Sequence, residues 1–266
     1  MKIIVPMAGV GQRFVDAGYL FPKPLISVSG KLMLQRVIDM FGPSDEFVFI
    51  CNEDHKIRSI ISGMRPNSKI IEMPAHKNGP VWTVSSAFGA IKDDEPIIVA
   101  YCDGAVSWDR EKFEHHILSN QLDGCLFTHT GFHPHTLSST KMAFIKQVEG
   151  RVMEVKEKAS YTNNPMQEFA SSGVYYFRRG LLVKKYFDSL WKQKINHGGE
   201  YYITLVYNLM IQDGLSVGFF NTDYVEILGT PQEVENFEAW GTILKGHQVR
   251  CEEDLIRCYH YWKRAK

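Results

Sequence analysis

No stretch of the 266 residues approaches the roughly 18 consecutive apolar side chains that a membrane-spanning helix needs. Met1-Lys2 leads straight into a strand-like segment instead of a signal peptide, so a soluble, cytoplasmic protein with no membrane partner is expected. Charge of one sign is also missing: 30 Lys and Arg face 30 Asp and Glu, and this balance excludes the basic surplus that nonspecific nucleic-acid binding requires. The five cysteines, Cys51, Cys102, Cys125, Cys251 and Cys258, are odd in number and form no C-x-x-C pair. They argue against a disulfide framework or a zinc knuckle and read as reduced thiols. Internal repeats, low-complexity tracts and an evident linker are absent as well.

What is present reads as globular. Apolar residues make up 44% and charged residues 23%, enough for a sizeable core in one large domain, or in one domain with an appendage. Ile3 to Val5, Phe47 to Cys51, Lys69 to Met73 and Ile97 to Tyr101 are short β-branched or aromatic runs bounded by turn residues, as buried strands are. Between them, Ile57, Ile60, Ile61 and Met64 share one helical face, as do Val84, Ala87, Phe88 and Ile91. Strand, helix, strand in succession predicts crossovers and a mostly parallel α/β sheet with helices on both sides. Later come strands at Gly124 to Thr130 and Val174 to Phe177, a hairpin of Phe144 to Val148 and Val152 to Val155 around Gly150, and helices at Leu181 to Trp191 and Tyr201 to Ile211. Thr230-Pro231-Gln232-Glu233 is a capping-box start for a helix through about Trp240. The expected division is one domain over residues 1–245, with a helical tail over 246–266 packed on it.

The most informative segment follows the first strand: Ala8-Gly9-Val10-Gly11-Gln12-Arg13-Phe14, then Pro22-Lys23-Pro24-Leu25. A glycine-rich turn leaving a buried strand lets backbone N–H groups approach phosphate oxygens, while Arg13 adds a forked donor and Lys23 a point charge. The segment lacks the G-K-[ST] of the P-loop and the third glycine of the dinucleotide fingerprint.

These two motifs resemble the opening of the sugar-phosphate nucleotidyltransferases, the nucleotide-sugar pyrophosphorylases, and the resemblance runs with decreasing sharpness through most of the chain. It implies a Rossmann-like three-layer α/β fold with a mixed, mostly parallel sheet, as in A-type glycosyltransferases and nucleotidyltransferases. It also implies transfer of a nucleoside monophosphate from a nucleoside triphosphate to a sugar phosphate or similar small phosphate, releasing pyrophosphate, for activated-sugar or surface-polysaccharide biosynthesis. In that reading Arg13, Lys23 and Asp103 are catalytic, and Ala8, Gly9, Gly11, Gly79 and Thr83 bind the nucleotide. Asp103, in Tyr101-Cys102-Asp103-Gly104 at the end of a buried strand, would hold Mg²⁺. Asn78-Gly79-Pro80-Val81-Trp82-Thr83 resembles the nucleobase segment, although Thr83 could instead only cap its helix. Glu157-Lys158, Gly173 in Ser171 to Phe177, and Glu200 in Gly199 to Thr204 match the sugar-phosphate segments. Edge-strand charge would account equally for the first pair, and helix N-terminal charge for Glu200.

The departures are as specific as the matches. Many relatives place a second metal-binding Asp two residues before the Gly of a G-T-P turn, where this chain has Ile227. Glu226, by a small strand shift, or Asp223 could supply that ligand, or the ligand could be absent. Thr130-Gly131-Phe132-His133-Pro134-His135 lies outside the family signature and reads first as a solvated loop with a Pro-imposed bend, next as a phosphate or substrate contact, and last as a metal site that would need a third ligand. Leu255, Tyr259 and Trp262 form a stripe suited to a docked helix or an oligomer contact. Two other readings stand beside the first. An A-type glycosyltransferase usually carries D-x-D, which Asp103-Gly104-Ala105 lacks, and a nucleotide-sensing homologue would bind without turnover.

Overall fold

The computed structural model of the chain describes residues 1–139 and 142–246. Its frame is set by strands whose two faces are both apolar. In β1 (Lys2–Met7), Ile4 enters one core layer while Ile3, Val5 and Met7 enter the other. In β6 (Ile97–Ala100), Ile97 and Val99 alternate in the same way with Ile98 and Ala100. Side chains that alternate between two buried faces need helices on both sides of the sheet.

A nine-stranded sheet runs in the order β5-β4-β1-β6-β11-β8-β12-β10-β9. Its remaining members are β4 (Glu46–Asn52), β5 (Lys69–Met73), β8 (Gly124–His129), β9 (Phe144–Val148), β10 (Arg151–Lys156), β11 (Phe169–Phe177) and β12 (Val217–Asn221). β5, β4, β1 and β6 pair parallel, as the alternating strands and helices predict. The later half is more mixed than the expected mostly parallel sheet. β8 and β12 are parallel, but β11 is antiparallel to both of its neighbours, and β10 is antiparallel to β12 and β9. For β9 and β10 the physical reason is the tight turn at Gly150 (φ 81°), which returns the chain with no crossover segment, so these two strands pair antiparallel.

Two small ribbons lie outside the main sheet: β2 (Ser27–Val28) with β3 (Lys31–Leu32), and β7 (Gly104–Ser107) with β13 (Tyr224–Ile227). The α-helices are α1 (Gln12–Asp16), α2 (Met33–Asp39), α3 (Arg58–Met64), α4 (Pro80–Ser85), α5 (Arg110–Ser119), α6 (Gly180–Lys192), α7 (Ile203–Gln212) and α8 (Pro231–Gly246). Helical spacing overstated the first two apolar faces. Ile60 is 43% exposed on α3 while Ile61 is buried, and α4 stops at Ser85 and passes into a 3₁₀ turn at Phe88–Ala90. Helix α8 runs beyond Trp240 to Gly246. The expected tail from residue 247 onward, with Cys251, Cys258 and the Leu255, Tyr259 and Trp262 stripe, lies outside the described residues. Cys51, Cys102 and Cys125 are free and buried, and burial raises the thiols of Cys51 and Cys102 to about 12, which keeps them protonated. No helix among the described residues is long and apolar enough to cross a membrane.

Candidate active site

Because β1 and β6 are parallel neighbours, their carboxyl ends open on the same edge of the sheet, where open α/β sheets receive ligands. A cavity of about 360 Å³ occupies that edge and is lined by Ala8, Gly9, Gly11, Arg13, Lys23 and Asp103. The wall facing them carries Gly79, Thr83 and Glu200. The two glycines of the loop differ in what requires them. Gly11 caps α1 in the left-handed conformation (φ 70°, ψ 34°), which favours glycine. Gly9 has no such constraint, and a Cβ on it would meet nothing within 4 Å, so its bareness leaves room above the loop. Phe14, 2% exposed, anchors the loop from below by packing edge-on to Tyr19 (ring centroids 5.1 Å apart) within a small cluster that includes Leu228 and Val234. Arg13 is exposed and lines the cavity.

Lys23 opens a 3₁₀ turn (Lys23–Leu25) between two prolines whose rings fix the backbone on either side of it. Its ammonium donates to Asp103 Oδ2 and, at 3.1 Å, to the carbonyl of Gly229. Asp103 follows β6, and its own carbonyl accepts the Leu228 N–H at 2.8 Å. Lys23 and Asp103, far apart in sequence, thus meet at the base of the cavity with side chains only 18% and 24% exposed.

The nucleobase segment lines the cavity and also packs on the turn before α7. Gly79 (φ 86°) packs against the turn before α7, and a Cβ there would stand 2.7 Å from the Tyr201 nitrogen and 2.9 Å from its oxygen. Tyr201 N–H donates to Asn78 O at 2.9 Å, and Val81 N–H donates to Tyr201 O at 3.1 Å. Thr83 does not cap α4. It lies inside the helix, buried, with Oγ1 2.9 Å from His76 Nε2. His76 Nδ1 accepts the Asn78 N–H at 3.2 Å, which leaves Nε2–H to donate to Thr83. Burial lowers the His76 pKa and favours this neutral form. His76 lines the same cavity and carries no local sequence signal, since only folding brings it beside Gly9.

A second cavity of about 140 Å³ adjoins the first and shares Tyr101, Asp103 and Tyr202 with it. Glu157, Gly173, Thr204 and Ile227 line it. Glu157 accepts a 2.5 Å hydrogen bond from the Thr204 hydroxyl, and burial raises its pKa against the opposing pull of Thr204 and Lys158. Gly173 (φ 79°) lies where a Cβ would approach Tyr101 to 3.4 Å. Lys158 is exposed at the rim and reaches the lining through Tyr202, whose hydroxyl oxygen accepts from its Nζ at 2.5 Å. The same tyrosine donates its hydroxyl proton to Glu200.

Glu226 is not brought to Asp103. The ribbon pairs Ile227 with Gly104 and Glu226 with Ala105, and alternation along β13 puts the Ile227 side chain at the second cavity and turns Glu226 away. Glu226 is instead held by Arg36 of α2 at 2.8 Å and by the Tyr224 hydroxyl at 2.9 Å. Asp223 is exposed in the turn before β13 and lines neither cavity. His133 and His135 are not solvated: they are 0% and 2% exposed and pack with His129, with ring centroids 4.7 to 5.6 Å apart. Burial lowers His135 to about 4, so it stays neutral. Among the described residues no group of three or more His, Cys, Asp or Glu is arranged to hold a metal ion.

With this geometry in hand, comparison with known proteins places the chain. Residues 3–147 match the model of the MobA-like NTP transferase domain. The bifunctional protein GlmU of Clostridioides difficile (strain 630) is 27% identical over 246 residues, covering 90% of this chain and 50% of that protein. Its counterpart from Clostridium beijerinckii is 25% identical over 244 residues. The chain therefore spans about half the length of the curated relatives it matches. Among solved structures, the nucleoside-diphosphate-sugar pyrophosphorylase of Vibrio cholerae RC9 superposes with a TM-score of 0.69 at 22% identity, covering 89% of this chain and 99% of that one. The inositol-1-phosphate CTP transferase of T. maritima gives a TM-score of 0.67 at 14% identity, covering 88% and 94%. At these identities the two structures establish a shared nucleotidyltransferase-type α/β fold.

Proposed function

The chain belongs to the MobA-like NTP transferase domain family, and from that premise we propose that it transfers a nucleoside monophosphate from a nucleoside triphosphate to a sugar phosphate or similar small phosphate. A phosphate oxygen of the acceptor forms a bond to the α-phosphorus, the bond from that phosphorus to the bridging oxygen breaks, and pyrophosphate leaves with the electron pair. The attacking oxygen is already ionised near neutral pH, so no general base is needed. The obstacle is bringing two anions together, and the reading assigns that task to fixed positive charge and backbone donors. Arg13 and the Gly9–Gly11 backbone hold the departing pyrophosphate, and Lys23 neutralises charge at the α-phosphate. The second cavity receives the acceptor, with Glu157 accepting hydroxyl hydrogen bonds and Lys158 meeting its phosphate at the rim.

Mg²⁺, when bound, would supply positive charge that offsets the charge of the phosphates. The residues present suit such an ion. Asp103 offers a hard oxygen beside the small space over Gly229, where a Cβ would lie 3.3 Å from its Oδ2. The observation that carries the proposal is the single cavity at the ends of β1 and β6, which gathers the glycine loop, both cations and Asp103 from distant parts of the chain. A pyrophosphate-release assay with the common triphosphates, Mg²⁺ and mixed sugar phosphates tests it. Pyrophosphate release that depends on acceptor supports it, and no release from any combination overturns it. Ile227 in place of a carboxylate favours, as a second reading, a homologue that binds nucleotide without turnover. Triphosphate binding in the absence of any release would identify that case.

A further inference from the structure

Helix α8 starts as its sequence requires, with Thr230 Oγ1 accepting the Glu233 N–H at 3.2 Å, but the cap leaves part of the Glu233 side chain unexplained. Glu233 is 7% exposed, and its Oε2 is sealed from solvent with no hydrogen-bond partner among the described residues. A buried carboxylate oxygen left without a partner is costly, and nothing about capping a helix demands it. The atom is aimed at Gly229: a Cβ there would lie 3.2 Å from Glu233 Oε2, 3.3 Å from Asp103 Oδ2 and 3.9 Å from Lys23 Nζ. Two carboxylate oxygens from separate elements therefore converge on the position that a side chain at residue 229 would occupy, too tightly to admit one without a shift. Val234, the next residue of α8, is buried in the cluster beneath the glycine loop, which fixes the helix end and with it the aim of Glu233.

We propose that Glu233 Oε2, together with Asp103, is a protein ligand of the divalent cation in the crevice, replacing from a helix the carboxylate that is missing from the strand at Ile227. One or two carboxylates plus substrate phosphates are the usual protein share of an Mg²⁺ site, so this pair completes it. Glu226 is unavailable because Arg36 and Tyr224 hold it on the other side of the ribbon. In the cation-free protein the Lys23 ammonium stands against Asp103 and carries the positive charge there. The inference rests on reading the crevice as a polyphosphate site, but its test does not require turnover.

Mn²⁺ binding is titrated by electron paramagnetic resonance with inorganic pyrophosphate present, for the parent, Glu233→Gln, Gly229→Ala and Asp103→Asn. Glutamine retains the capping-box geometry, and equal melting temperatures without metal confirm that each fold is kept. The expected result is a Mn²⁺ dissociation constant raised about tenfold or more in Glu233→Gln and Gly229→Ala, the scale on which even outer partners of a bound metal act. Asp103→Asn should do the same. Affinity in Glu233→Gln within about threefold of the parent overturns the assignment, as does a parent with no saturable Mn²⁺ binding. Loss in Asp103→Asn alone removes Glu233 and leaves the wider reading standing. A Glu233-dependent ion in a protein that never releases pyrophosphate removes the proposed reaction and leaves this site standing.

Discussion

Lys23 sits between an acid and an aromatic face: its ammonium touches Asp103 and the Gly229 carbonyl and lies 5.5 Å from the centre of the Phe14 ring. Two prolines hold its backbone, so little reorganisation is needed when a phosphate arrives. Replacing Lys23 with Ala is expected to lower kcat/KM by roughly 30-fold to a thousandfold, equivalent to about 2 to 4 kcal/mol of barrier, as for other preorganised charge-stabilising groups. Pyrophosphate release at subsaturating triphosphate measures this, and a loss of less than about threefold would remove Lys23 from the reaction. Arginine should not restore full activity, since its planar fork cannot occupy the compact space between Asp103 and Gly229 as an ammonium does.

Between elements, the key joint is the contact of Gly79, ahead of α4, with the turn ahead of α7. Gly79→Ala places a Cβ 2.7 Å from the Tyr201 nitrogen at a φ of 86°, and neither the backbone atom nor the dihedral can yield cheaply. The variant is expected to lose about 1 to 3 kcal/mol of stability and to raise KM for both substrates, because the turn it pushes away carries Glu200 and Tyr202. Gly9→Ala is the contrast. Its Cβ meets open space at an ordinary φ, so urea unfolding should change by less than about 0.5 kcal/mol while triphosphate affinity falls. Equal stability losses in the two variants would contradict the different roles assigned to them. The same elements show what was legible in the sequence. Glycine and proline act through local dihedrals, so the Ala8–Phe14 loop and the Pro22–Leu25 turn were readable before any fold was known. The Glu226 and Ile227 alternation depends on the register of β13 with β7, a tertiary fact. Glu233 was readable as a cap, but the direction of its second oxygen was not. Likewise His133 and His135 looked solvated because nothing local records that they fold against His129.

Across the whole molecule, the two edges of the sheet carry different tasks. The carboxyl ends of the parallel strands form the crevice, while at their amino ends Asp45 ties the start of β4 to α5 and to the beginning of β1. Its side chain is fully buried and accepts from Arg110 at 2.7 and 3.0 Å, from the Met1 amino group at 2.7 Å and from the Gly42 N–H at 2.9 Å. Burial alone would raise its pKa, but these donors outweigh it and hold the carboxyl below its ordinary 3.8. The native state therefore binds fewer protons here than the unfolded chain does. The resulting stability is complete above pH 3.8 and is lost as pH falls through the lower native value. Glu157 has the opposite sign: burial raises it above 4.5, so its contribution is greatest in acid and fades as pH rises through the native value. Asp45→Asn should cost about 3 kcal/mol at pH 7, the low end for a broken buried pair because Arg110 remains 35% exposed. Urea midpoints at pH 7 and pH 3 separate the parent from the variant: the parent should fall in acid, and the variant should fall less because that proton linkage is gone. Its kcat/KM at pH 7, measured well below its melting temperature, should match the parent's, since Asp45 sits at the opposite end of the strands from Lys23 and Asp103. A variant as acid-sensitive as the parent would mean that other carboxylates control acid unfolding.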